Sequence, residues 1–185
     1  MRDDEFELLK EQLRQLYERL RTEVRGRWRR DLPLEELLFD RWARARALGF
    51  GEGTSIYHNS YVYGDVMVGA HTWIGPFTML DGSGGLTIGD YCSISAGVQI
   101  YTHDTVEWAL SGGRSGPERQ PSRIGSRCYI GPNTIIGKGV IIGDGCVIGA
   151  NSLVLEGIPA GSKAFGIPCR VMGSAEPKMP GVGAP

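Results

Sequence analysis

The sequence predicts an all-β solenoid, a prism of short stacked strands, preceded by an α-helical segment. The first reason is a change of composition near residue 48. Of the 28 glycines, 27 follow that residue, whereas 12 of the 20 basic and 11 of the 21 acidic residues precede it. The second reason is a six-residue period in the glycine-rich part, because a fixed short period is the signature of a fold built from stacked repeats.

Residues 1–48 are predicted to be helical. Apolar residues recur there at steps of three and four, on one face of an amphipathic helix: Phe6, Leu9, Leu13, Leu16, Leu20 and Val24. Asp3 or Asp4 can cap its N-terminus, and the segment 31–33 interrupts the pattern before a second helix over about 34–48. These helices can cover the open end of the solenoid or reinforce an assembly of subunits.

Four arginines gather where the first helix ends: Arg25, Arg27, Arg29 and Arg30. Two interpretations remain open at this point. The cluster is either a solvated helix end with a charge that suits the helix dipole, or a site for an anionic substrate or membrane surface.

The glycine-rich part reads in units of six residues, each led by an aliphatic residue. The leading residues are Ile56, Val62, Val68, Ile74, Leu80, Ile88, Ile94, Ile100, Ile124, Ile130, Ile136, Ile142, Ile148 and Val154, with Ala160 as a weaker last member. Three units complete one coil, so the aliphatic residues fill the prism. The fifth position of each unit is small and should point inward near a corner. Cys92, Cys128 and Cys146 occupy it, which predicts core residues and not ligands or nucleophiles.

The period breaks twice, and both breaks are expected at the same corner, one coil apart. Two extra residues separate Leu80 from Ile88, and 18 extra residues separate Ile100 from Ile124, forming an inserted loop over 101–123. A loop of this length in a repetitive scaffold is usually functional. It contains His103, whose imidazole suits a general base near neutral pH.

Three residues around this loop have two interpretations each. Asp81, at the equivalent corner of the preceding coil, is either a turn residue or a substrate contact. Trp108 is either an anchor of the loop or a platform on which a sugar stacks. Glu118 is either a surface residue or a group that orients His103 or the substrate.

Composition excludes several classes of function. The net charge of −1 offers no general attraction for nucleic acid. No apolar run approaches the ~18 residues of a membrane span, and no signal peptide is visible. The four cysteines lack metal-ligand spacing, so a reduced, cytoplasmic protein without a bound metal is expected.

The repeats resemble those of the hexapeptide-repeat acyltransferases, whose fold is a left-handed parallel β-helix. The resemblance rests on IGDYCSISAGVQIYTHDT, IGSRCYIGPNTIIGKGVIIGDGCVIGANSLV and IPAGSKAFGIPCRV, and it covers about 50–172. It is strongest to galactoside and maltose O-acetyltransferases and to sugar O-acetyltransferases of surface-polysaccharide synthesis. Together with the change of composition, this coverage predicts a helical segment at 1–48, the β-helix at 49–172 and a tail at 173–185.

The resemblance implies a homotrimer with acetyl-CoA bound in clefts between prisms and a carbohydrate acceptor. His103 would take a proton from a sugar hydroxyl, which attacks the thioester directly. The implied acceptor-site residues are Tyr101 and Tyr129, and the implied cofactor contacts are Pro132, Ala150 and Arg170. Lys163 joins the cofactor contacts on charge alone.

The sequence departs from the family pattern at several positions. Asp104 stands where the family usually has Pro, and Pro132 where it has a Ser that contacts the cofactor. Gly75 replaces an acceptor-pocket Asn, and 155–156 reads Leu-Glu in place of Thr-Lys.

Three alternative functions use the same scaffold. The first is an amino-sugar N-acetyltransferase, and the second is a non-catalytic assembly module. The third is a zinc enzyme of the γ-carbonic-anhydrase type, which needs three converging histidines. His58, His71 and His103 are too far apart in the repeat for this last function.

Overall fold

The computed structural model of this protein describes residues 2–176. Three helices precede a three-sided parallel β-helix in the chain. The helices before the prism are α1 (Asp3–Trp28), α2 (Leu34–Leu38) and α3 (Arg41–Ala47). The remaining elements follow in chain order: β1 (Ser55–Ile56), β2 (Tyr61–Val68), β3 (Trp73–Ile74), β4 (Met79–Ile88), β5 (Ser93–Ile94), β6 (Gln99–Ile100), β7 (His103–Asp104), α4 (Val106–Leu110), β8 (Glu118–Arg119), β9 (Ser122–Ile124), β10 (Tyr129–Ile130), β11 (Ile135–Ile136), β12 (Ile141–Ile142), β13 (Val147–Ile148), β14 (Leu153–Val154), β15 (Ser162–Gly166) and β16 (Cys169–Ser174).

The predicted solenoid and its register are confirmed. Face one stacks β1, β3, β5, β10, β13 and β15 in that order, and all of these neighbours are parallel. Face two begins with the first residues of β2 and β4 and continues through β6, β11 and β14. The last residues of β2 and β4 turn the corner into face three, which continues through β9 and β12. Each leading residue therefore stacks on the leading residue three units further along the chain, one coil away.

The interior consists of the residues that the period places there. All the leading aliphatic residues from Ile56 to Val154 are buried except Val62, which is partly buried. The small residues at position five are buried too, and several of their side chains donate to carbonyl groups of the next coil. Thr72 Oγ1, for example, donates to the carbonyl of Gly89 at 2.9 Å. The expectation for Ala160 is wrong: it is exposed, and Ile158 takes the place by bridging to Ile142.

Glycine at position two lets neighbouring coils approach closely. At Gly131, a Cβ atom would lie 2.5 Å from the backbone nitrogen of Ala150 in the next coil. The left-handed backbone conformations occur further along the corner, as at Asn133 and Asn151. The repeated glycine is therefore explained by space and not by backbone angle.

The helical segment differs from its prediction in two details. Arg2 is the N-cap of α1, so neither Asp3 nor Asp4 caps the helix, and the Glu5 carboxylate accepts a bond from the Arg2 backbone N–H. The single helix expected over 34–48 is two helices. Phe39 is extended, and the Asp40 side chain starts α3 by accepting bonds from two backbone N–H groups.

Helix α3 covers the first coil of the prism. Ala45 and Phe50 join the hydrophobic core, and the Arg44 guanidinium donates to the carbonyls of Tyr57 and Ser60. The carbonyl groups of the open end are thereby partly satisfied. Helix α1 buries no residue and contacts α2.

The other end is closed by β16, which pairs antiparallel with β15. Strand β16 continues to Ser174, past the expected start of the tail at 173, and residues 177–185 lie outside the described residues. The expected domain boundaries remain predictions. Within residues 2–176, no helix is both long and apolar enough to cross a bilayer.

Candidate active site

The inserted loop leaves the prism where face two ends, as the break in the period predicts. Its base is a short antiparallel pair, β7 with β8, in which His103 is opposite Arg119 and Asp104 is opposite Glu118. Leu80 stacks on Ile100 in the same face. The residue after Leu80 therefore lies beside the start of the loop, which brings Asp81 next to His103.

Asp81 and His103 form a hydrogen-bonded pair. The distance between Asp81 Oδ2 and His103 Nδ1 is 2.6 Å. The Asp81 side chain also accepts bonds from the Thr102 backbone N–H at 3.0 Å and from the Ser83 hydroxyl and backbone N–H at 2.5 and 3.0 Å. Asp81 is only 1% exposed, whereas the side chain of His103 is 33% exposed. The carboxylate therefore lies behind an imidazole that solvent can reach.

The environment of Asp81 keeps it ionised. Burial raises the pKa of this carboxyl, but the bonds from Ser83, Thr102 and His103 outweigh burial and lower its pKa to about 2. An ionised carboxylate can only accept at Nδ1, so it fixes the proton of neutral His103 on that nitrogen. The lone pair of Nε2 is then free to take a proton from a bound molecule.

A lysine from the following coil ties down the base of the loop. Lys138 Nζ lies 2.5 Å from Asp104 Oδ2 and 2.6 Å from Glu118 Oε2. The bond to Lys138 lowers the pKa of Asp104, and the two carboxylates raise the pKa of Lys138. One cation thus holds both strands of the loop base beside His103.

A cleft of about 790 Å³ opens in front of this pair. It is lined by Tyr101, His103, Asp104, Thr105, Val106, Ala109, Gly137, Lys138 and Leu155. Tyr101 is held there by a 2.8 Å bond from its hydroxyl to Gln99 Oε1. The cleft has the size of a small-molecule site with a few convergent polar groups.

The structure places the expected acceptor-site residues in different surroundings. Asp81 is buried and its hydrogen-bonding neighbours all belong to the chain, which favours a role behind His103 over the predicted contact with substrate. Trp108 lies on α4, is half exposed and does not line the cleft with His103. Glu118 acts through Lys138 and makes no contact with His103.

Tyr129, Pro132 and Ala150 are not brought to His103 within one chain. Tyr129 lies on face one, partly exposed. Pro132 and Ala150 follow β10 and β13, at the corner between faces one and two. His103 lies one face away, at the corner between faces two and three.

The two expected phosphate contacts lie together at the C-terminal end of the prism. Lys163 is exposed on β15, and Arg170 is exposed on the adjacent β16. Arg170 Nη1 donates to the carbonyl of Cys169 at 2.9 Å and lies 3.8 Å from Glu156 Oε2. These contacts leave most of its guanidinium open to solvent.

Sequence reasoning missed Lys138. It fills an ordinary position-three site, Ile-Gly-Lys, in the first coil after the loop. Its stacking near Asp104 could have been inferred from the register, but its contact with Glu118 depends on how the loop returns. The three histidines occupy three different corners, and within residues 2–176 no cluster of three or more His, Cys, Asp or Glu side chains could hold a metal ion.

A second groove, of about 710 Å³, lies away from His103. It separates the helical segment from the first coils of face one, and its lining includes the aromatic residues Trp28, Trp42, Tyr57 and Trp73. Gly75, where the family has an acceptor-pocket Asn, lines this groove. The groove does not contain the histidine–carboxylate pair and is therefore not the candidate catalytic centre.

Comparison with known proteins shows similarity to hexapeptide-repeat transferases. Residues 121–156 match the family model described as bacterial transferase hexapeptide (six repeats). Nodulation protein L of Rhizobium meliloti is 38% identical over 120 residues, which are 63% of this chain and 63% of the relative. Serine acetyltransferase of Mycobacterium tuberculosis is 28% identical over 148 residues, or 80% of this chain and 60% of the relative. The chain thus spans less than two thirds of the length of either curated relative.

Solved structures share the fold. A hexapeptide-repeat acetyltransferase of Vibrio cholerae has 25% identity and a TM-score of 0.59, with 90% of this chain and 93% of that chain covered. A mutant of AntD, an N-acyltransferase of Bacillus cereus solved with dTDP and coenzyme A, has 20% identity and a TM-score of 0.62, with 74% and 90% covered. The chain is thus similar to hexapeptide-repeat transferases in its repeats, and these repeats fit the left-handed β-helix that the resemblance implied.

Proposed function

We propose that this protein transfers an acetyl group from acetyl-CoA to a hydroxyl group of a sugar or of a surface-polysaccharide precursor, with His103 as the general base. The observation that carries the proposal is the 2.6 Å contact between buried Asp81 and exposed His103 at the edge of the cleft. Support also comes from the relatives, which include a serine acetyltransferase and a hexapeptide-repeat acetyltransferase. The cytoplasmic setting of the proposal is supported by four buried free thiols.

The proton path follows from the tautomer that Asp81 imposes. The acceptor hydroxyl gives its proton to Nε2 of His103 as its oxygen attacks the thioester carbonyl carbon. The resulting imidazolium is stabilised by the Asp81 carboxylate, which remains ionised. When the tetrahedral intermediate collapses, the C–S bond breaks and the proton passes to the CoA sulfur. The products are an acetyl ester and free CoA, and no acetyl-enzyme forms.

The CoA phosphates are assigned to the end of the prism where Arg170 and Lys163 lie on paired strands. A guanidinium can donate two hydrogen bonds to one phosphate, and Lys163 adds a second positive charge. Pro132 has no backbone N–H, so it can donate no hydrogen bond to the cofactor.

The site is proposed to form between subunits of a homotrimer. His103 lies at one corner of the prism, whereas Tyr129, Pro132 and Ala150 lie on or beside face one. A parallel neighbour related by a three-fold axis can present its face-one corner to His103, which would complete the acceptor and pantetheine sites.

Hybrid assemblies test this arrangement. His103→Ala removes the base, and Ala150→Trp obstructs the cofactor channel, so each variant alone should be inactive. Mixing the two by unfolding and refolding should restore part of the activity, because some interfaces then combine an intact His103 with an intact Ala150. Mixing either variant with itself is the control. No recovery in the mixture, with trimers present by light scattering, would contradict a shared site.

Acetyl transfer to an amino group is the second candidate. It is supported by the three carboxylates around His103, which outnumber the two cations there, Lys138 and Arg119, and attract a cationic amine; they are Asp81, Asp104 and Glu118. A panel of sugars, amino sugars and their nucleotide derivatives, assayed by thiol release from acetyl-CoA, would identify the acceptor. Hydroxylamine treatment of the product separates the candidates, since it cleaves an ester and leaves an amide. Absence of thiol release with every acceptor would favour a non-catalytic assembly module.

A further inference from the structure

The N-terminal helix α1 has an apolar stripe that the chain itself does not cover. The stripe consists of Phe6, Leu9, Leu13, Leu16 and Leu20, spaced by three and four residues. The first four of these side chains are 40–50% exposed, and no residue of α1 is buried. Five apolar residues at a and d positions of a heptad form the seam by which one helix packs on another.

The C-terminal end of α1 is the part that meets the rest of the protein. Val24 and Trp28 line the groove along face one, and Arg21 pairs with Asp31 at 2.7 Å, in the segment that leads to α2. The stretch from Asp3 to Leu20 extends from this attachment. At 1.5 Å per residue it is about 27 Å long, enough for a partner helix to lie along the whole stripe.

The charges of α1 are divided between its two halves. Residues 3–13 contain five acidic residues and one basic residue, whereas residues 14–28 contain five arginines and two acidic residues. Two parallel copies would set acidic half against acidic half and basic half against basic half. Two antiparallel copies set each acidic half against a basic half and also oppose the helix dipoles.

The flanks of the stripe agree with the antiparallel arrangement. At 100° per residue, Glu5 and Arg19 fall on the same flank of the stripe. Equivalent flanks face each other in an antiparallel pair of helices, so Glu5 of one copy meets Arg19 of the other when Phe6 packs opposite Leu16. In a parallel pair, the Arg19 flank faces the opposite flank, where Val24 lies.

We propose that the occupant of the α1 stripe is the α1 helix of a second copy of this chain, packed antiparallel. Such a pair joins two prisms, or two prism trimers, through their N-terminal ends and doubles the assembly. The inference does not depend on the proposed catalytic function.

The mass of the assembly is the first test. Light scattering of the full chain should give twice the mass of the Leu9→Glu/Leu13→Glu variant. The matched variant Leu8→Glu/Gln15→Glu, on the side of α1 away from the stripe, should keep the full mass. Circular dichroism of each variant shows whether α1 remains helical. Equal masses for the wild type and the Leu9→Glu/Leu13→Glu variant would overturn the proposal, and so would a mass that doubles only on anionic lipid vesicles.

Orientation is the second test. Arg19→Glu should lower the fraction of doubled assembly at least tenfold at low ionic strength, and adding Glu5→Arg should restore it. Because the native cysteines are buried, Phe6→Cys and Leu16→Cys each introduce a single accessible thiol. Antiparallel helices predict a disulfide between the two variants when they are mixed. A disulfide between two Phe6→Cys chains, or no effect of Arg19→Glu, would show a different arrangement.

Discussion

Replacing Asp81 by Asn should disable His103 while leaving its ring in place. In the wild type, Asp81 Oδ1 accepts from Ser83, and Oδ2 accepts from Thr102 and His103. An amide has one oxygen and one NH2 group. Its NH2 group must therefore face either the donors of Ser83 or the donors of Thr102 and His103. If the NH2 faces His103, it donates to Nδ1 and forces the ring proton onto Nε2. The nitrogen that should accept the substrate proton is then already protonated.

The size of the effect follows from these contacts. Loss of the base function corresponds to a fall of about 10²–10⁴-fold in kcat. Stability should fall too, because a buried N–H left without an acceptor costs about 1–3 kcal/mol. The carboxylate also contributes about 2 kcal/mol at neutral pH through its lowered pKa, and the amide cannot replace this contribution.

Two measurements separate catalysis from folding. The ¹⁵N spectra of the three histidines report which ring nitrogen carries the proton, without any acceptor present, and the His103 signals should exchange their Nδ1–H pattern for Nε2–H in Asp81→Asn. Thiol release measured below the melting temperature gives kcat. The matched control is Asp144→Asn. In the wild type, the Asp144 carboxylate accepts a bond from the Ser126 backbone N–H at an exposed corner. An unchanged His103 tautomer together with activity within twofold of wild type would refute the role of Asp81.

Three further perturbations are informative. Acid should destabilise the protein through Asp81, because the pKa of this carboxyl is lower in the folded than in the unfolded chain. Its contribution of about 2 kcal/mol is complete above pH ~4 and disappears as the pH falls toward 2. The unfolding free energy of Asp81→Asn should change less over that window. Lys138→Met leaves two adjacent carboxylates at the loop base, and we expect faster proteolysis within 101–123 and a roughly tenfold lower kcat/KM. The Tm should fall only slightly, since ion pairs near the surface contribute about 0–1 kcal/mol. Unaltered proteolysis would show that the lysine does not hold the loop. Arg170→Ala should raise the KM for acetyl-CoA about tenfold and leave kcat at saturation unchanged, because a charged hydrogen bond to phosphate contributes about 1.5–3 kcal/mol equally in the ground and transition states. An unchanged KM with a lowered Tm would assign Arg170 to the structure of the last coil.

The prism could be predicted from sequence because its order is local and repetitive. Each leading aliphatic residue is buried by the coils directly above and below, so a single period fixes the face, the register and the core. The same register predicts that Asp81 and His103 lie at one corner. It does not predict that the Asp81 side chain turns inward, because that depends on donors from Ser83 and Thr102.

The features that sequence reasoning missed depend on irregular parts of the chain. Lys138 bonds Glu118 only because the loop returns as strand β8 beside β7, and no period describes that path. The break between α2 and α3 arises from the Asp40 cap, which competes with continued helix by bonding the next backbone N–H groups. Residues assigned to the site from the family resemblance, such as Tyr129 and Ala150, lie on another side of the prism, and only the proposed neighbouring subunit would bring them to His103.

The most direct test of the account is the activity of His103→Ala on the acceptor that the wild type acetylates. The variant should fold and assemble as the wild type does, bind acetyl-CoA with similar affinity, and lose about 10²–10⁴-fold in kcat. The control variant His71→Asn should retain full activity, because the His71 ring stacks on Tyr91 and has no carboxylate partner. Asparagine also tolerates the left-handed backbone conformation at this position. If His103→Ala keeps more than half of the wild-type activity, His103 is not the base.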